Sequence, residues 1–214
     1  MQNKTPHICP LCSEKSNLFY KNKLRDYYLC EGCAGIFMDK NQRPTKTEEK
    51  VRYLEHNNDV YDEGYRTFVS PITSSIFNDF TPQHTGLDFG SGKSKIITTI
   101  LQEQNYNVSP YDPIFNKQTE LLNESYHYIA CCEVMEHFHN PFREFELLKQ
   151  MLKPHGALYC MTDIYEPSIN FDKWYYKNDA THVFIYQKET LEWILKSFGF
   201  KKMIIQKRLI IFNK

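Results

Sequence analysis

Leu87-Asp88-Phe89-Gly90-Ser91-Gly92-Lys93-Ser94 is the stretch that decides the fold. The run Gly86-Leu87-Asp88-Phe89 predicts a strand that stops at a glycine turn, and Ile96 to Gln104 predicts a helix directly after it. In a doubly wound sheet this turn is where a nucleotide-like ligand meets backbone. Glycines let the chain pass close to that ligand. Tyr106 to Tyr111 predicts a second strand, and Asp112 ends it. An acid about 20 residues beyond such a loop can accept hydrogen bonds from both ribose hydroxyls. Alone, the turn also fits a dinucleotide fingerprint or a plain strand-to-helix connection. It is not a phosphate-binding P-loop, because GxxxxGK[ST] is absent. A carboxylate at Asp88 would repel a pyrophosphate and suits a ligand carrying a sulfonium and an amino acid.

Downstream the same alternation continues. Tyr126 to Cys132 and Ala157 to Met161 predict strands, and Pro141 to Leu152 predicts an amphipathic helix with proline in its first turn. Glu189 to Phe198 predicts a helix ended by Gly199. Lys202 to Gln206 and Leu209 to Phe212 predict a closing hairpin around Lys207-Arg208, which adds one antiparallel strand to a parallel α/β sheet. Cys131 and Cys160 fall in strands and read as core. Upstream, Leu54, Tyr61, Tyr65 and Phe68 predict one face of a leader helix that Pro71 breaks or restarts.

The first 44 residues differ in kind. Cys9-Pro-Leu-Cys12 and Cys30-Glu-Gly-Cys33 are two CxxC pairs at the spacing of a four-cysteine zinc site. Two such turns present four thiolates to one tetrahedral ion, and a segment this short needs the metal to fold. We read the site as structural. A redox CxxC would follow a strand and open a helix, and neither pair does. The short apolar pieces Leu18-Phe19-Tyr20, Tyr27-Tyr28-Leu29 and Ile36-Phe37-Met38 predict small strands.

The 214 residues are 41% hydrophobic and 15% aromatic, enough for a core, with a formal net charge of zero. Residues 1–50 hold nine Lys/Arg against six Asp/Glu, an excess that four thiolates and one Zn²⁺ reduce to about one. That is a weak footprint for phosphate, so nucleic acid is admitted as a partner but not favoured. No apolar run reaches the ~20 residues of a membrane helix, and the polar start lacks a secretory pattern. The expectation is a cytoplasmic chain without a membrane partner, its oligomeric state open.

Several of these segments together resemble class I S-adenosylmethionine (SAM)-dependent methyltransferases. Asp88-Phe89-Gly90-Ser91-Gly92 resembles the family's motif I, and Tyr111-Asp112-Pro113 its ribose-binding acid. Cys132-Glu133-Val134-Met135-Glu136-His137-Phe138 resembles the E-V-x-E-H segment after the fourth strand. Leu152-Lys153-Pro154-His155-Gly156 resembles the L-K-P-G-G turn before strand five. These four stand in the family's order across about residues 85–165. Asp179-Ala180-Thr181-His182-Val183 with Tyr186, and the leader Arg52 to Asn58, resemble an uncharacterised bacterial subgroup. Ser94, His155 and Ala180 depart from the family's glycine, glycine and proline, and a separate third strand is not evident.

The resemblance implies an α/β fold, a Rossmann-like class I methyltransferase sheet with an antiparallel terminal strand plus a small N-terminal zinc ribbon. The chain divides into ribbon (1–44), helical leader or lid (45–84) and SAM-binding domain (85–214). It implies that Asp88, Phe89, Gly90, Ser91 and Gly92 shape the methionine end of the site. Tyr111 and Asp112 would meet the ribose, and Glu133, Val134 and His137 would lie beside the transferring methyl. Tyr53, His56 and Asn57 would close over the cofactor carboxylate. Each has a plainer alternative. Asp88 could serve a helix start, Asp112 an Asx-turn, Glu133 and His137 a solvated helix start, and the leader residues ordinary packing. Methyl transfer from a sulfonium is largely alignment and exclusion of water, and a general base helps where the acceptor is a hydroxyl, amine or carbon acid. His182, oriented by Asp179, is the first candidate, against a structural histidine and a helix-capping aspartate. The expected function is methyl transfer to a small-molecule acceptor. The alternatives are an RNA or protein methyltransferase gripping with its ribbon, and a non-catalytic module of the same fold.

Overall fold

Strands buried on both faces need helices above and below them, and that requirement shapes the body of this protein. The computed structural model describes residues 7–55 and 59–214. His56 and Asn57, expected over the cofactor, lie outside the described residues. The N-terminal segment forms β1 (His7–Ile8), β2 (Lys15–Lys21), β3 (Asp26–Cys30) and β4 (Ile36–Met38), then helices α1 (Lys46–Leu54) and α2 (Glu63–Asp79). Strands and helices then alternate as β5 (Thr85–Phe89), α3 (Ile96–Glu103), β6 (Asn107–Tyr111), β7 (Tyr126–Cys132), α4 (Pro141–Met151) and β8 (Leu152–Met161). The chain closes with β9 (Phe184–Ile185), α5 (Lys188–Ser197), β10 (Lys202–Gln206) and β11 (Leu209–Asn213).

The main sheet has the order β10-β11-β8-β7-β5-β6. β6, β5, β7 and β8 run parallel, and β11 enters antiparallel to β8. This is the sheet that the resemblance implies, with its antiparallel terminal strand. Val69, Ile72, Ile76, Ile97 and Leu101 from α2 and α3 cover one face. Phe145, Leu148, Leu191 and Ile194 from α4 and α5 cover the other. β6 is the sheet edge among the described residues, and a 3₁₀ turn (Thr119–Asn123) stands between it and β7. His155 takes a left-handed φ of 61° where the family carries glycine. At the neighbouring Gly156 a Cβ would stand 2.8 Å from the His127 carbonyl oxygen, so that position stays bare.

The leader departs from the expectation of one broken helix. Leu54 ends α1, and Tyr61 lies between α1 and α2, so the two do not share a face. Pro71 sits inside α2 without ending it. Proline removes the N–H that would reach the Thr67 carbonyl. The Ser70 hydroxyl donates to that carbonyl instead, at 2.7 Å, and the helix runs on.

The ribbon strands build a second sheet, β1-β2-β3-β4-β9, whose last strand comes from far along the chain. Ile36 pairs with Ile185 and Phe37 with Phe184. Cys9, Leu11, Cys30, Cys33 and Phe37 join the same buried cluster as Phe184, Tyr186 and the main-sheet core. The fit is close at Gly35, where a Cβ would lie 2.4 Å from Phe184 Cζ. No helix among the described residues is long and apolar enough to cross a membrane.

Candidate active site

The parallel strands β5, β6, β7 and β8 all point their C-terminal ends to one side, where crevices form in open α/β sheets. The loop after β5 turns through two left-handed glycines, Gly90 (φ 79°) and Gly92 (φ 63°). The N–H groups of Gly90 and Ser91 both donate to the Tyr111 carbonyl, at 2.8 and 3.0 Å, which ties this loop to the end of β6. Val134 presses on it from the β7 side: a Cβ on Gly90 would stand 2.3 Å from Val134 Cγ2. A Cβ on Gly92 would meet nothing within 4 Å, so the loop borders open space there. Phe89 and Tyr111 pack their rings 5.4 Å apart beneath it.

Two buried carboxylates frame the loop. Asp88 accepts from the Thr98 N–H (3.1 Å) and hydroxyl (2.8 Å) through Oδ2, at the first turn of α3. Burial pushes its pKa up to about 6, against the pull of those two hydrogen bonds. Asp112 accepts from Gly92 N–H (3.0 Å) on Oδ2, and from Ile114 and Phe115 N–H (2.8 and 2.9 Å) on Oδ1. It therefore holds the glycine loop and its own turn together, and a carboxylate with three donors keeps room for about one more.

Beyond β7 and β8 lies a denser polar group. Glu133 has a left-handed φ of 51°, a strained position for a side chain, and its N–H donates to the Met161 carbonyl at 2.8 Å. Its Oε2 accepts from Arg208 at 2.6 Å, and Arg208 also pairs with Asp163 at 3.0 Å. Burial, and then the Glu136 carboxyl, push the Glu133 pKa up against that guanidinium. Glu136 is fully buried and accepts from Tyr176 OH at 2.7 Å. Glu133 Oε1 and Glu136 Oε2 have no hydrogen-bond partner among the described residues.

His137 and His182 stand side by side, ring centroids 5.0 Å apart. His137 Nδ1 lies 2.9 Å from the Thr181 carbonyl, and His182 Nδ1 lies 2.7 Å from the Tyr176 carbonyl. A carbonyl can only accept, so each Nδ1 carries the proton and each Nε2 keeps its lone pair. Burial, and then His137, push the His182 pKa down to about 4; burial pushes His137 down too. Asp179 bonds elsewhere: Oδ1 accepts from Thr181 N–H and hydroxyl (2.9 and 2.6 Å), and Oδ2 from Arg52 (2.8 Å). Burial alone would raise Asp179, but Thr181 and Arg52 together hold it well below the usual carboxylate range.

Helix α1 lies over this pair. Tyr53 meets His137 edge-on at 5.4 Å, and Glu49 pairs with His139 at 2.7 Å. Tyr53 thus stands at the histidines. The structure brings Asp88, Phe89, Gly90, Ser91, Gly92, Tyr111, Asp112 and Val134 together around the glycine loop. It brings Glu133, His137, His182 and Tyr53 together beside it. Sequence reading did not single out Glu136, Tyr176 or Arg208. Lys207-Arg208 between two strands was the signal for the last, since a hairpin turn there reaches the ends of the parallel strands.

Cys9, Cys12, Cys30 and Cys33 place their four sulfurs within 4.8 Å of one another. Cys9 Sγ lies 3.6 Å from Cys33 Sγ, and Cys12 Sγ 3.2 Å from Cys30 Sγ. Tetrahedral Zn–S bonds of about 2.3 Å put sulfurs roughly 3.8 Å apart, so these two pairs would open by a few tenths of an ångström around an ion. The donor set is compatible with a small zinc site.

A family model described as a methyltransferase domain matches residues 61–204, more than half of the chain. No curated protein matches in sequence. Among solved structures, an O-methyltransferase family protein from Burkholderia thailandensis is similar with a TM-score of 0.53 at 10% identity, over 77% of this chain and 61% of that one. This chain therefore spans less than two thirds of that protein. A SAM-dependent methyltransferase from Archaeoglobus fulgidus is similar with a TM-score of 0.53 at 16% identity, over 70% of this chain and 94% of that one. The Burkholderia thailandensis 1,6-didemethyltoxoflavin-N1-methyltransferase, with its substrate and S-adenosylhomocysteine bound, reaches 0.54 at 12% identity, over 92% and 99%. At such identities the likeness is one of fold.

Proposed function

Because the chain belongs to the methyltransferase domain family and is a SAM-dependent methyltransferase of class I fold, we propose that it methylates a small-molecule acceptor. The observation that carries this reading is the placement of two unlike groups at one end of the sheet. A glycine loop open at Gly92 lies between Asp88 and Asp112, and the Glu133–His137–His182 group stands beside it.

The cofactor, when bound, supplies a methyl already activated on a sulfonium. The chain's part is to bind, orient and exclude water. Asp112 spends its remaining acceptor position on a ribose hydroxyl while fixing the loop through Gly92. Asp88 faces the amino group, directly or through water. Phe89, Tyr111 and Val134 wall the site. His182 offers Nε2 to the acceptor, and Asp179 acts on it by charge across Thr181 rather than by a hydrogen bond. The four cysteines hold zinc and brace the segment that carries His182. We keep the division into ribbon (1–44), leader (45–84) and SAM-binding domain (85–214). Arg25 spends its guanidinium on the Lys177 carbonyl (2.7 Å) and Arg43 on that of His139 (2.8 Å). Ribbon cations engaged with the body support a brace over a nucleic-acid grip.

The test is calorimetric titration of S-adenosylhomocysteine into the zinc-loaded protein, with Asp112→Ala beside it. Micromolar binding by the parent, weakened at least about tenfold in a variant that still melts cooperatively, is the expected result; one charged-acceptor hydrogen bond is worth that much. A folded parent that binds nothing would leave only the fold.

A further inference from the structure

Glu136 is a buried carboxyl with no direct ion-pair partner among the described residues; burial pushes its pKa up to about 7, and Arg208 acts on it only from beyond contact. Its neighbours are paired, Glu133 with Arg208 and Asp179 with Arg52, while no ion pair reaches Glu136 among the described residues. It is 0% exposed, one oxygen takes the Tyr176 hydroxyl, and the other has no partner among the described residues. Burying a carboxylate this way is costly unless something positive compensates it. What faces it is a pair of imidazoles. One donor atom each from Glu136, His137 and His182 lies within 4.8 Å of the other two.

Metal-binding histidines are usually fixed by a hydrogen bond from the other ring nitrogen to a carbonyl or carboxylate. Both histidines here make that bond, to the carbonyls of Thr181 and Tyr176. The backbone ties the two segments as well: Val183 N–H donates to the Glu136 carbonyl at 3.0 Å. The ligand-bearing turn after β7 and the strand β9 are thus locked in register before any ion arrives. Both imidazoles are only partly buried, which leaves an entry path.

We propose that Glu136, His137 and His182 bind one divalent transition-metal ion, a second metal site apart from the four cysteines. Two imidazoles and one carboxylate suit a first-row ion such as Fe²⁺, Co²⁺ or Zn²⁺. Three protein ligands leave at least one coordination position, which takes water or an oxygen of the acceptor. This last role rests on the methyltransferase reading; the ion site itself does not. With metal bound, His182 acts on the acceptor through the ion and not as a free base.

Cobalt(II) is the probe, titrated into protein loaded with a single equivalent of zinc, which the four thiolates take ahead of a two-imidazole, one-carboxylate site. One equivalent should bind with visible d–d absorption and without thiolate-to-cobalt charge-transfer bands. Glu136→Gln, which keeps an acceptor for Tyr176, and His182→Ala should each weaken it at least about tenfold, as disturbance of even outer-shell partners does. Zinc-loaded parent that takes up no cobalt overturns the site, as does undiminished binding in Glu136→Gln. Melting and S-adenosylhomocysteine affinity report whether each variant is folded. Cobalt binding without cofactor binding would sink the methyltransferase reading and leave the site standing; the reverse would sink the site alone.

Discussion

Asp88 is 2% exposed and holds Thr98 with one oxygen, yet its pKa is pushed up to about 6 by burial. A raised carboxyl binds its proton more tightly folded than unfolded, so folding gains as pH falls from about 6 toward 4. Above pH 6 the folded chain carries the whole cost, about 3 kcal/mol for a shift of roughly two units. Asp88→Asn should therefore raise the urea midpoint at pH 8, and the advantage should shrink as pH falls through 6 to 4. Denaturation series at both ends check the sign; a variant less stable at pH 8 would mean the Thr98 hydrogen bonds outweigh burial. The same change should weaken S-adenosylhomocysteine binding about tenfold, if the carboxylate is kept for a ligand's ammonium. The residue is then a stability deficit maintained for binding.

Helix α1 has no buried residue, and it is held by a capping box at Thr45 and Glu48 and by contacts to the histidine cluster. Exposed ion pairs contribute up to about 1 kcal/mol. Arg52→Ala should leave the melting temperature nearly unchanged while residues 46–54 exchange their amide hydrogens faster. It should raise KM for the acceptor more than it lowers kcat, because Asp179 loses its partner. Unaltered exchange in α1 would show that Arg52 is not what holds it. This element also marks the limit of sequence reading. β5, β6, β7 and the glycine loop were legible because apolar runs and turn residues lie next to each other in the chain. The leader reads as one face because Leu54, Tyr61, Tyr65 and Phe68 keep helical spacing, while the stretch between α1 and α2 carries no glycine or proline. Pro71, which looks like a breaker, is absorbed by Ser70. Glu136 and His137 are neighbours in the E-V-x-E-H segment, but His182 and Arg208 join them only through tertiary closure, which no local pattern encodes.

Across the whole molecule, the ribbon and the histidine cluster are one mechanical unit. β9 follows His182 almost at once and pairs with β4, and Phe184 packs on Gly35. Cys33→Ser, which removes one of the four thiols we propose to hold zinc, should lower kcat/KM for the acceptor by roughly tenfold to a hundredfold, the upper end being the scale of an ångström of misplacement. It should spare S-adenosylhomocysteine affinity, because the glycine loop hangs from β5 and β6. Calorimetry beside steady-state kinetics separates the two, and equal losses in both would refute a brace confined to the acceptor side. The borrowed strand also sets an order of events during synthesis. The ribbon leaves the ribosome early, but the open edge of β4 waits for Phe184 and Ile185. At about 5–20 residues per second that wait is roughly seven to thirty seconds. For that interval an apolar, unpaired strand edge is exposed to every neighbouring nascent chain. Early capture of metal by the four cysteines would shorten the list of wrong partners, making the ribbon a guard of its own assembly before it is a part of the enzyme.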